Sequence, residues 1–235
     1  MRVWLWASAL VVLVAVAGIA CGGGGGDGGA TPTPDRPTLE AWLTDISLKT
    51  EDLPSGFGEP EARFTDNEEA AQSDPAGPSA GVKRLDDWGR LLGLDSTALV
   101  TDTMGTFTKG GTALIVSSIS IFADEHGAIQ AMQWGRDLLA DPADAETLIP
   151  NVSGLEGGPI SFASVGDETV AAEFTGTTQP EGVPIKIEFT ADIVVIRNGK
   201  GVAYIAVGAI GGAKPGPEVE QLIRILNDRM GSVLA

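Results

Sequence analysis

A single cysteine, at position 21, and a single histidine, at 126, set the first limits on this chain of 235 residues. One cysteine forbids an internal disulfide, and with one histidine it leaves too few ligands for a structural zinc site. A hydrolytic triad needs a base that titrates near neutral beside an activated nucleophile. The only imidazole, His126, reads as an exposed residue in the first turn of a helix, where the positive end of the dipole disfavours its charged form. Basic residues are scarce as well: 15 Lys and Arg stand against 32 Asp and Glu, for a formal charge of −17. So acidic a surface repels phosphate backbones, which excludes nucleic acid as a partner. Glycine is plentiful, yet the runs 154–158 and 208–212 lack the Lys-Ser/Thr pair and the spacing of a phosphate loop. The acidic stretch 51–74 contains no D-x-[DN]-x-[DN]-G calcium loop and is expected to be a solvated loop. No cofactor and no metal is expected.

What the chain does have begins at its first residue. Arg2 supplies positive charge, residues 3–17 are almost uninterrupted apolar sequence, and Gly18, Ile19 and Ala20 are small or compact before Cys21. Those three zones are an export signal rather than part of a fold. The apolar run is short for a transmembrane helix, which needs about 20 residues, and the glycines at 22–26 would stop it. Gly18-Ile19-Ala20-Cys21 resembles the lipobox of bacterial prolipoproteins. The resemblance implies that the Cys21 thiol takes a diacylglyceryl group, that the peptide is cut just before it, and that the new amino terminus is often acylated too. A plain secreted protein with a free thiol and an uncleaved anchor helix are the alternatives. A lone thiol in an oxidising compartment is a liability unless consumed, and two acyl chains hold a protein durably because each buried methylene contributes about 0.8 kcal/mol. Loss of the signal removes Arg2 and takes the charge from −17 to −18.

Residues 21–37 then form a tether of Gly, Thr, Pro and Asp, which by chain statistics holds the folded part roughly 20 Å from the lipid surface. The remainder, 38–235, is long enough for one well-buried core. Leu39, Trp42, Leu43 and Ile46 predict a first amphipathic helix, and Val82, Leu85, Trp88 and Leu92 a second over 81–92 with Gly93 as its stop. Residues 97–108 and 112–122 predict a strand pair turned at Lys109-Gly110-Gly111. Asp124 caps a helix running to about Ala140, and 141–164 reads as loop. Three strands come next, 169–175, 185–196 and 202–207, the last two joined at Asn198-Gly199. A final helix opens at Pro217 with Glu218 and Glu220, buries Val219, Leu222, Ile223, Leu226 and Met230, and stops before Gly231. Strands in groups joined by tight turns argue for an α+β fold: a curved antiparallel sheet of about five strands with helices mainly on one face.

The segments Glu51-Asp52-Leu53-Pro54-Ser55-Gly56-Phe57, Trp88-Gly89-Arg90, Ile121-Phe122-Ala123-Asp124 and Val165-Gly166-Asp167-Glu168 resemble those of exported actinobacterial and Chloroflexi-type lipoproteins. They are also similar to extracellular sensor-like domains of bacterial serine/threonine kinases, although those carry disulfides that one cysteine cannot form. The resemblance implies sensing of a ligand or partner rather than catalysis. Asp86, Asp87, Asp167 and Glu168 are the carboxylates that could be nominated for hydrolysis, but adjacent acids point apart and cap or turn roles explain them. Trp42, Trp88 and Trp134 each fall on a helix's apolar face, where they either pack in the core or line a cleft for a glycan or hydrophobic ligand. The expected function is a non-catalytic, lipid-anchored module on the extracytoplasmic face of the cell membrane that binds an envelope protein or a small ligand. A structural envelope lipoprotein without a ligand is the alternative, and a cofactor-free exported hydrolase a less favoured one.

Overall fold

The computed structural model describes residues 33–102, 105–106, 109–148, 152–178, 186–213 and 218–234. Gly18, Ile19, Ala20, Cys21 and Pro217 lie outside the described residues. The fold is α+β, as expected, and its sheet is antiparallel throughout. In chain order the elements are α1 (Arg36–Ile46), β1 (Glu61–Thr65), α2 (Asn67–Ala70), α3 (Pro78–Asp87), β2 (Arg90–Leu99), β3 (Gly111–Phe122), α4 (Glu125–Ala140), α5 (Pro142–Leu148), β4 (Val152–Pro159), β5 (Glu168–Thr178), β6 (Ile187–Asn198), β7 (Gly201–Ile210) and α6 (Glu218–Val233). The sheet has seven strands, two more than the sequence suggested, in the order β1-β2-β3-β7-β6-β5-β4. After β3 the chain crosses to the far edge through α4 and α5, then meanders back strand by strand until β7 closes against β3.

Helices cover both faces, not mainly one. On the first face α1 and α6 bring Leu43, Ile46, Leu222, Ile223 and Leu226 onto Ile115, Ile119, Val194, Ile205 and Val207. On the second, α4 brings Ala128, Met132 and Leu139 onto Val116, Ala172, Phe174, Ile193 and Ala206. The reason is legible in β7, nine of whose ten residues are buried in an unbroken run. A strand apolar on both sides needs cover on both sides. The small residues of α4, Gly127, Ala128, Ala131 and Gly135, form its buried face with Met132 and Leu138, so the helix lies close on the sheet.

Several local expectations are corrected. The second helix ends at Asp87, and the stop is Gly89 rather than Gly93: Gly89 takes φ 66°, the left-handed conformation glycine supplies after a helix end. Leu92 and Gly93 belong to β2. The strand pair β2–β3 exists, with Leu99 opposite Leu114, but its connection spans 100–110 rather than a three-residue turn. The acidic segment contains β1 and α2 where a loop was expected, and 141–164 contains α5 and β4. The last helix continues through Gly231 to Val233. The Asn198-Gly199 hairpin is as read, with Asn198 opposite Gly201 and Gly199 at φ 55°. Asp124 caps α4 by accepting from the Gly127 amide at 3.0 Å.

Candidate functional site

The carboxylates named from sequence do not assemble. Asp86 is exposed and accepts from Asn67 Nδ2 at 2.6 Å, while Asp87 pairs with Lys83 one turn back on α3. Asp167 accepts from the Gly199 amide at 2.7 Å and from Arg197 at 3.0 Å, which fastens the β6–β7 turn to the start of β5. Glu168 pairs with Arg136 of α4 and lies 3.7 Å from Arg197. His126 is exposed in the first turn of α4. Among the described residues no group of three or more His, Cys, Asp and Glu is arranged to hold a metal, and no helix is long and apolar enough to cross a membrane.

Two of the three tryptophans do meet. Trp88, at the end of α3, and Trp134, on α4, stand edge to face with centroids 6.2 Å apart and planes at 62°. Arg84 roofs both rings, 5.1 Å from the Trp134 centroid and 5.8 Å from that of Trp88, and is held there by Asp74 at 3.3 Å. Backbone contacts fix Trp88 in place. The Ala123 amide donates to the Gly89 carbonyl at 2.8 Å, and Gly127 lies so close to the Trp88 carbonyl that a Cβ there would fall 1.7 Å from its oxygen. Trp42 lies against the opposite core, with the Lys200 ammonium 5.3 Å from its ring centre.

Beneath the tryptophan pair is a small cleft between α4 and the second face of the sheet, about 30 Å³ in volume and partly open to solvent. Its walls are Trp88, Trp134, Ala131, Gly135 and Phe122, and its floor is Ser118, Ser120, Val195, Val202 and Tyr204. The floor is placed by register. Side chains two apart on a strand share a face, so Ser118 and Ser120 of β3 point the same way, and Ser118 is directly opposite Tyr204 of β7.

The sequence reading missed this floor and the charges behind it. Asp95 of β2 is opposite Ser118 and accepts from its hydroxyl at 2.7 Å. Burial pushes the Asp95 carboxyl above the usual carboxylate range, and the Ser118 hydrogen bond and the Arg90 and Arg63 charges offset part of that. Arg90 is fully enclosed. Its guanidinium donates to Ser120 Oγ at 2.9 Å, to the Thr65 carbonyl at 3.1 Å and hydroxyl at 3.0 Å, and to Asn67 Oδ1 at 3.0 Å. Burial lowers its pKa to about 10. It fits because position 93 is glycine, where a Cβ would lie 1.9 Å from the Arg90 Nη2. Tyr204 is buried too, which raises its phenol pKa. The signal that could have found the floor is Ser117-Ser118-Ile119-Ser120 in a strand, beside the only tyrosine of the chain.

Comparison with known proteins adds a likeness of structure. No protein-family model and no curated protein matches the sequence. The extracellular domain of PknH from Mycobacterium tuberculosis is similar in structure at 10% identity and a TM-score of 0.46, over 87% of this chain and 100% of that one.

Proposed function

We propose that this protein is a non-catalytic binding or sensing module, held outside the cell by lipid on Cys21, and that its ligand occupies the Trp88–Trp134 cleft. The observation that carries the reading is that cleft itself: two aromatic walls and an apolar floor interrupted by three hydroxyls. An apolar cavity with a few convergent polar groups is the usual form of a small-molecule site. Hydrolysis has little support, because Asp86, Asp87, Asp167 and Glu168 are each engaged in separate hydrogen bonds or ion pairs. The anchor rests on the Gly18-Ile19-Ala20-Cys21 motif and the tether after it.

Both halves are open to test. In cells fed a clickable fatty acid, the wild type should be labelled and sediment with membranes, and Cys21→Ser should be unlabelled and released; equal labelling of the two removes the anchor. For the cleft, small aromatic probes such as p-cresol should shift tryptophan emission in the purified domain, and Trp134→Leu should abolish the shift while turnover of ester, peptide, phosphate and glycoside panels stays at background. Emission that no probe alters moves the reading to a structural lipoprotein without a ligand.

A further inference from the structure

The cleft under the tryptophan pair is about 30 Å³ in volume, room for a water or two and for no ligand with an aromatic ring. A ligand of the kind proposed above therefore enters only when one wall moves. Most of the lining is fixed. Ser118, Ser120, Phe122, Val195, Val202 and Tyr204 stand on β3, β6 and β7, each of which is paired on both sides within the sheet. α4 is seated by the buried face that carries Met132, Leu138 and Leu139. The wall that is left is the Trp88 ring, with Arg84 above it.

Arg84 belongs to a segment closed on itself. Residues 67–87, which hold α2 and α3, leave the sheet and return to it at one point. There Asn67 Nδ2 donates to Asp86 Oδ1 at 2.6 Å and to the Arg90 carbonyl at 3.2 Å, and Arg90 Nη1 donates to Asn67 Oδ1 at 3.0 Å. Between those ends the segment has a small core of its own, Ala70, Ala71 and Leu85 with Val82 against them, and Trp88 packs on both that core and the second core of the sheet. The buried Asp74 carboxylate accepts from the Ala76 amide at 2.8 Å and from Arg84 Nη2 at 3.3 Å, so Arg84 moves with the segment. Its reach across to α4 is its position over Trp134, 5.1 Å from the ring centre. Beyond the return point the backbone is held, the Trp88 carbonyl against Gly127 and the Gly89 carbonyl by the Ala123 amide. A unit with so few buried side chains opens at a lower free energy than the sheet it rests on. Resting on the binding reading above, we infer that residues 67–87 are a flap that gates the cleft. Closed, Arg84 pins the two indoles edge to face; open, it lifts from Trp134 and frees the Trp88 ring to turn away, and a ligand enters that open state.

Hydrogen exchange of the ligand-free wild-type protein reads the flap without relying on any variant to fold. Amides of α3 should exchange through a local opening that low urea does not change, while those of β7 exchange only with global unfolding and speed up as urea is added. Trp134→Leu then tests the closing contact from outside the flap. It removes the ring under Arg84 and should speed exchange in α3 about two- to fivefold, what a partly exposed cation–π contact is worth, at urea concentrations where β7 stays protected. Exchange of α3 in step with β7, at the same urea dependence, overturns the flap whether or not p-cresol shifts tryptophan emission. So does an α3 rate that Trp134→Leu leaves unchanged. Local opening of α3 beside tryptophans that p-cresol does not perturb supports the flap and removes the binding reading on which its role as a gate rests.

Discussion

Asp95 shows at the scale of one residue how the floor of the cleft is tuned. Its folded-state pKa is raised above the ordinary 3.8, first by desolvation. A carboxyl raised in this way binds its proton more tightly folded than unfolded. Its contribution to stability is therefore full below the ordinary value and is lost as pH rises through the raised one. The wild type should lose ground to Asp95→Asn over that interval, so the difference in Tm, wild type minus variant, should be smaller at pH 7 than at pH 4. A difference independent of pH would mean that the carboxyl is not desolvated as the structure has it. Little of this was legible in the sequence. Asp95 sits in the middle of a strand pattern, and Gly93 read as a helix stop because Leu92 continued the spacing of Leu85 and Trp88. The chain spends that glycine on room for the Arg90 guanidinium, a requirement set by side chains from β1 and β3 that no local window contains.

Elements were readable in proportion to how far local chemistry alone determines them. α1, α4 and α6 carry their own apolar stripes, and the Asn198-Gly199 hairpin carries its own turn, so each stands where the sequence put it, except that α6 runs on past Gly231 to Val233. β1 and β4 do not carry such signals. β1 has one large apolar residue in five, and β4 contains three glycines. Their strand conformation comes from neighbours: β1 is paired along its length with β2 and receives Arg90 at the Thr65 carbonyl, while β4 runs along β5 past a bulge between Ser153 and Glu156. The tryptophans divide similarly, since periodicity placed all three on apolar faces but only the tertiary fold decides that Trp88 and Trp134 share one face of the sheet while Trp42 packs on the other. Contacts between elements are also where the C-terminal helix is secured. Arg229 of α6 grips Asp52 with two hydrogen bonds, at 2.8 and 2.9 Å, and donates to the Ser47 carbonyl at 2.6 Å, joining α6 to the turn after α1. Arg229→Met keeps the apolar stem and removes all three, so it should cost about 1–2 kcal/mol, toward the low end because the arginine is partly exposed. Chemical denaturation reads the change as a lower midpoint at unchanged slope; an unaltered midpoint would make the pair ornamental.

For the whole molecule, the arrangement of the core determines which residues the fold requires. Both faces of one sheet are buried, and the two cores share β2, β3, β5, β6 and β7, so the seven strands and their covering helices stand or fall together. No buried apolar residue of the described chain precedes Leu39, and the first helix opens at Arg36 behind Asp35, whose carboxylate accepts from the Thr38 amide at 3.1 Å and is held below its ordinary pKa by the side chain and then the amide of Thr38. Among the described residues neither core draws on one before Leu39. A chain begun at Thr33 keeps the cap and every core residue among those described, and it should be soluble and unfold in one cooperative transition with the same midpoint as the full chain. Begun instead at Pro37 it loses Asp35, the carboxylate that satisfies the Thr38 amide, and should be less stable by about 1 kcal/mol while remaining cooperative. A molten or aggregated product from the Thr33 start, in calorimetry and near-ultraviolet circular dichroism, would show that the domain needs residues before 33 to complete its fold.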